Sequence, residues 1–117
     1  MDKTILLKGY TKALNYDDEK FKLGTCVFLP NTGRIICTKN HVLFLTPNQN
    51  KLLYHLCPPG KVATTEELYK QLWAHEGYWQ NNLDVLICGL RKKLSRINIR
   101  IANIRGFGFQ LHIINDE

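Results

Sequence analysis

The stretch that most constrains this chain runs from Asn82 to His112 and reads NLDVLICGLRKKLSRINIRIANIRGFGFQLH. Leu83, Ile87, Leu90 and Leu94 recur at helical spacing and define one apolar face. Beyond them Ile99, Ile101 and Ile104, then Phe109, Leu111 and Ile113, largely alternate with polar residues, as strand residues do when one face is buried. Between these two runs Arg105-Gly106-Phe107-Gly108 forms a tight turn whose glycines can take positive φ. The stretch therefore predicts a helix followed by a β-hairpin. Arg91, Lys92, Lys93, Arg96, Arg100 and Arg105 are basic, and no acidic residue occurs between Val85 and His112. A basic amphipathic helix beside an Arg-tipped hairpin suits a polyanion with grooves.

The chain before this stretch supplies a scaffold. Residues 1–20 read as an N-terminal extension with one edge strand at Ile5–Leu7 and a polar loop. Asp17-Asp18-Glu19 in that loop lacks a partner cluster and reads as solvated rather than as a metal site. Residues 21–45 predict an antiparallel β-meander, turned at Pro30-Asn31-Thr32-Gly33 and again at Lys39-Asn40-His41. Residues 46–98 predict a three-helix core. Thr46-Pro47-Asn48-Gln49 is a capping box opening a helix that buries Leu52, Leu53 and Leu56 and stops at Pro58-Pro59-Gly60. Lys61-Val62-Ala63 makes one short extended step. Thr64-Thr65-Glu66-Glu67 is a second capping box, before a helix burying Leu68, Leu72 and Trp73. Residues 99–114 are the hairpin. This order is the plan of a winged helix-turn-helix: α+β, with an N-terminal antiparallel sheet, three helices and a C-terminal β-hairpin wing.

Composition narrows the function. A length of 117 residues suits one domain, 1–117, and a hydrophobic fraction of 44% supports a packed core. The net charge of +6 favours an anionic partner, and its clustering after Val85 says more than its total. Cys26, Cys37, Cys57 and Cys88 form no C-x-x-C pair, so they read as small reduced thiols rather than zinc ligands. The sequence leaves a Cys26–Cys37 bridge across the N-terminal hairpin open without supporting it. His41 and His112 read as surface histidines. There is no Ser/His/Asp order, paired carboxylate or phosphate-cradling loop, and Gly106-Phe107-Gly108 sits in a hairpin rather than at a helix start. Neither an enzyme, a cofactor nor a small-molecule substrate is expected. No apolar run is long enough for a signal peptide or a membrane span, which points to the cytoplasm, or to the cytoplasmic part of a membrane-anchored regulator if the chain continues.

Four stretches, Leu45-Thr46, Thr64–Trp73 (TTEELYKQLW), Leu83–Leu94 (LDVLICGLRKKL) and Asn103–Leu111 (NIRGFGFQL), together resemble the winged-helix effector domain of OmpR/PhoB-type bacterial response regulators. The L-R-K-x-L and R-G-x-G-[YF] elements carry the resemblance, which covers about residues 21–113. With no receiver domain before the fold, phosphorylation control within this chain is not expected, and the receiver-less ToxR/CadC branch fits best. The resemblance implies a transcriptional regulator that binds duplex DNA, with a recognition helix over about 82–96 in the major groove and the wing in the minor groove. The helix face it assigns to DNA comprises Asn82, Val85, Leu86, Gly89, Lys92, Lys93 and Arg96. Arg91 matches the Arg of the L-R-K element. Thr65 and Trp73 fall where the family touches phosphates from the second helix, Asn81 and Asn82 where it does so from the third. Asn103 and Arg105 fall at the wing positions for phosphate and minor groove. Tyr78 and Trp79 lie in the loop that the family uses on RNA polymerase.

Two departures stand out. Cys88 and Gly89 occupy positions where many relatives carry long base-reading side chains, and Phe109 replaces the commoner Tyr. Base reading by one copy is then thin, and a homodimer or cooperative tandem binding would offset it. The alternative reading is a winged-helix protein–protein interaction module, acting on a partner regulator or on RNA polymerase, with weak DNA affinity. Each feature also has a plainer meaning: a Lys/Arg run as a solvated face, Trp73 as core, Asn103 as a strand hydrogen-bonder.

Overall fold

In the computed structural model, residues 19–38, 41–74 and 82–114 are described. Strands β1 (Phe21–Leu23), β2 (Cys26–Leu29), β3 (Arg34–Ile36) and β4 (Val42–Phe44) form an antiparallel meander in the order β1-β2-β3-β4. Helix α1 (Pro47–Leu56), strand β5 (Val62–Thr64) and helix α2 (Thr65–Trp73) follow, then helix α3 (Leu83–Leu94) with a 3-10 turn at Ser95–Ile97. Strands β6 (Ile99–Ile104) and β7 (Gly108–Ile113) close the chain as the wing. The expected edge strand at residues 5–7 and most of the polar loop lie outside the described residues.

Each helix begins where its sequence supplies acceptors for the orphan amides of a first turn. Gln49 N–H donates to Thr46 Oγ1 (3.2 Å) while Thr46 N–H donates to Gln49 Oε1 (3.0 Å), and Thr64 and Glu67 repeat the exchange at 3.0 and 3.2 Å. Asn82 caps α3, its Oδ1 accepting from Val85 N–H at 3.2 Å. After α3, Asn98 takes a left-handed conformation (φ 61°) that turns the chain into β6; Asn tolerates this region better than most residues.

The core is where the periodicities place it. Leu83, Ile87, Leu90 and Leu94 of α3 meet Leu52, Leu53 and Leu56 of α1, Leu68 and Leu72 of α2, and Ile99, Ile101 and Leu111 of the wing, all buried. Phe28 and Ile35 join from the meander. Each such side chain contributes roughly 2 kcal/mol relative to exposure.

Two expectations change. The extended step at 61–63 is a strand: β5 pairs antiparallel with β7 through Val62↔Gln110, Ala63↔Phe109 and Thr64↔Gly108, so the wing sheet has the order β5-β7-β6. Three residues before a helix cap are too few to show a strand period. The four cysteines are not four thiols, because Cys26 and Cys37 form a disulfide. The register Val27↔Ile36 sets the two residues opposite one another, with Cα atoms 4.2 Å apart, and register is invisible in spacing alone.

The close approach of β5 to β7 requires Gly108. A Cβ there would collide with the Ala63 carbonyl oxygen and stand 2.7 Å from Thr64 Cα, both backbone atoms that cannot yield. Gly108→Ala is expected to cost about 3 kcal/mol in urea unfolding, whereas Gly106→Asn, at a positive φ of 83° with nothing near, should cost under about 1 kcal/mol.

Candidate nucleic-acid interface

The apolar stripe of α3 turns its opposite side outward. Asp84, Val85, Cys88, Arg91, Lys92, Ser95 and Arg96 are exposed, Val85 at 65%. These residues form a ridge with one carboxylate at its N-terminal end and four basic or thiol side chains beyond it. Asn82, exposed at the start, spends its carbonyl oxygen on the cap and keeps its amide donor.

Leu86, Gly89 and Lys93 are half-buried and do not share that ridge, contrary to the face assigned to them from sequence. They lie one row around the helix, toward α1 and the meander. Leu86 packs against the core. A Cβ at Gly89 would stand 3.3 Å from Gln49 Nε2. Lys93 Nζ donates to the Phe44 carbonyl (2.7 Å) and to Gln49 Oε1 (2.8 Å). Buried Gln49 thus serves the α1 cap and the α3 dock with the same oxygen. Sequence shows Gln49 only as a cap residue; the dock depends on a backbone carbonyl 49 residues from Lys93, which leaves no local signal.

Arg91 is exposed yet engaged. Its Nε and Nη2 donate to the Ile101 carbonyl at 3.1 and 2.9 Å, tying α3 to β6. At the start of α3, Leu83 N–H donates to the Tyr69 hydroxyl of α2 (3.4 Å). The helix is therefore fixed to the meander, the wing and α2 before anything docks on it.

The other expected residues lie at the α2 start and on the wing. Thr65, first residue of α2, is exposed, and its N–H donates to the Phe107 carbonyl at the wing tip (3.2 Å). Asn103 and Arg105 are exposed on the wing, and a cleft between the α2 start and the wing turn is lined by Thr65, Glu66, Asn103 and Phe107. Trp73 is 7% exposed and stacks obliquely on Tyr69 with centroids 5.4 Å apart, so it is core rather than a phosphate contact. Phe109 is also buried. Asn81, Tyr78 and Trp79 lie outside the described residues. Among the described residues no cluster could hold a metal ion, and no helix is long and apolar enough to cross a membrane.

The two free thiols differ sharply. Cys88 is exposed at the centre of the ridge, whereas Cys57 is buried, and burial pushes its pKa up to about 12.

Residues 40–111 match the family described as transcriptional regulatory protein, C terminal. The transcriptional regulatory protein SrrA of Staphylococcus aureus is 30% identical over 96 residues, which cover 76% of this chain and 40% of SrrA. The chain thus spans well under half the length of that relative. Among solved structures, the DNA-binding domain of the response regulator AdeR, in complex with an intercistronic region, is 26% identical with a TM-score of 0.61, covering 75% of this chain and 94% of that one. The DNA-binding domain of Escherichia coli CadC is 22% identical with a TM-score of 0.63, covering 80% and 91%, which shows a shared fold.

Two outcomes follow from the geometry. Lys93→Ala and Arg91→Ala should each lower unfolding stability by about 1–2 kcal/mol, while Lys92→Ala on the open ridge stays within about 0.5 kcal/mol. Titration with a thiol reagent should find one reactive thiol in the folded, unreduced chain and a second only on unfolding; four reactive thiols would contradict the Cys26–Cys37 bridge.

Proposed function

The chain belongs to the family of transcriptional regulatory protein C-terminal domains, and on that premise we propose that it is the DNA-binding part of a bacterial transcriptional regulator. Helix α3 lies in the major groove and the β6–β7 hairpin over the adjacent minor groove. The observation that carries this reading is the shared exposure of Val85, Lys92 and Arg96 on α3 with Asn103 and Arg105 on the wing and Thr65 at the α2 start. The AdeR domain, solved on an intercistronic region, supports it by likeness.

The roles follow from chemistry. Val85 offers methyl groups to a thymine methyl, and Lys92 and Arg96 offer donors to guanine or phosphate. Arg105 enters the minor groove, where negative potential is greatest at narrow A·T-rich segments. Thr65, Asn82, Asn103 and, in the segment before α3, Asn81 take phosphates. Arg91 acts through its clamp on Ile101, and Lys93 and Gly89 through Gln49, so they set the helix's pose and contribute less to base reading than their place in a basic run suggests. With Cys88 too short to reach far into the groove, one copy reads few bases. Two copies bound in tandem supply the missing specificity through avidity. Tyr78 and Trp79 serve as the contact to RNA polymerase, and the domain acts in the cytoplasm.

A fluorescence titration with random 30-base-pair duplex tests this reading. The logarithm of the binding constant should fall linearly with that of salt concentration, with a slope of about −3 to −5. Arg105→Ala should make the slope shallower by about 1 and weaken binding most on A·T-rich duplexes. Salt-independent binding, or none at low salt, would contradict the proposal and favour a protein-contact module.

A further inference from the structure

The wing turn exposes an aromatic side chain that the proposed function does not use. Phe107 is 67% exposed, while Phe109, two residues on, is 7% exposed and in the core. Exposure alone does not single Phe107 out, since Phe44 is 66% exposed; its place on a tethered turn does. The ring is not outside because its backbone is loose. Phe107 N–H donates to the Ile104 carbonyl (2.9 Å), and its own carbonyl accepts from Thr65 N–H (3.2 Å). On either side, Gly106 holds a positive φ and Gly108 is wedged against β5. The turn is thus tied to its own hairpin and to α2, and holds the phenyl ring outward beside Arg105.

Resting on the proposed function, we infer that Phe107 is an apolar wedge of the wing, packing on deoxyribose at the edge of the minor groove that Arg105 enters. Three features of the turn select this partner. The ring is two residues from a guanidinium, and the two share one rigid turn. Its surroundings include Asn103 and Thr65, polar groups suited to phosphates, which flank the sugars on both sides. The sugar edge is the least polar part of the duplex backbone, and it gives an aromatic ring a surface to cover without a base-specific hydrogen bond. Proteins that work in the minor groove commonly insert apolar side chains in this way. Phe107 would thus add affinity that is insensitive to salt and tolerant of sequence, which offsets the short Cys88 on α3.

Salt dependence separates this role from a charge effect. Wild type, Phe107→Ala, Phe107→Leu and Arg105→Ala are titrated with one duplex selected by the wild-type protein from a random pool, at several salt concentrations. Phe107→Ala should bind roughly tenfold more weakly at every salt concentration, with an unchanged slope, and Phe107→Leu should recover most of the loss. Arg105→Ala should instead make the slope shallower. Hydroxyl-radical footprinting, which reads exposure of minor-groove sugar hydrogens, should show sugars protected by the wild type and opened by Phe107→Ala. Because the side chain is exposed, the thermal midpoint of Phe107→Ala should match that of the wild type. Equal affinity for Phe107→Ala and wild type, or a change in slope with it, overturns the wedge while leaving the DNA reading standing. If the wild type selects and retains no duplex, both readings fail together.

Discussion

Burial of one stripe of α3 governs the rest. Leu83, Ile87, Leu90 and Leu94 are each 2% exposed or less, and their partners come from α1, α2 and the wing at once. A helix held on that many sides has little surface left over. What remains is the outer ridge of Asp84, Val85, Cys88, Lys92, Ser95 and Arg96 with Arg91 at its flank. The core thus decides which side chains of a basic run are available, before any charge is considered.

The polar contacts around the stripe then set its pose. Lys93 reaches the meander and α1, Arg91 reaches β6, and the Tyr69 hydroxyl receives the first amide of α3. Three segments far apart in sequence converge on one helix. Cations that look alike in the string RKKLSR therefore divide into two kinds: Arg91 and Lys93 hold protein to protein, and Lys92 and Arg96 face outward. On the proposed function, a ridge with few outward cations and a short side chain at Cys88 needs help from the wing, where Arg105 and Phe107 stand on a turn fastened to α2.

Much of this was legible in the residues. Both capping boxes, the turn glycines and all three helical stripes follow from local rules, because an amide needs an acceptor and an apolar face needs a partner wherever the helix ends up. The candidate site was legible only as elements: a basic helix, an Arg-tipped hairpin, and Thr65 at the start of α2, which the structure places against the wing turn. The failures share one physical cause. The β5–β7 pairing, the Cys26–Cys37 bridge and the Lys93–Gln49–Phe44 contact join residues distant in sequence, and register and docking angle have no local signature. The resemblance assigned Leu86, Gly89 and Lys93 to the DNA face, yet at helical spacing they sit on the flank of the buried stripe, where Lys93 is docked on Gln49 and the Phe44 carbonyl. Phe107 was visible only as a turn residue; its exposure on a tethered tip emerges from the fold.

The claim that α3 presents its outer ridge to duplex DNA has a probe already in place, because Cys88 is exposed at the middle of that ridge. The rate of Cys88 modification by a small maleimide can be followed with and without saturating duplex, at low and at high salt. Duplex is expected to slow modification strongly at low salt, and the protection to disappear as salt releases the DNA. Duplex bound with Cys88 reacting at its unprotected rate would place DNA on another face and rule out α3 as the DNA-facing helix.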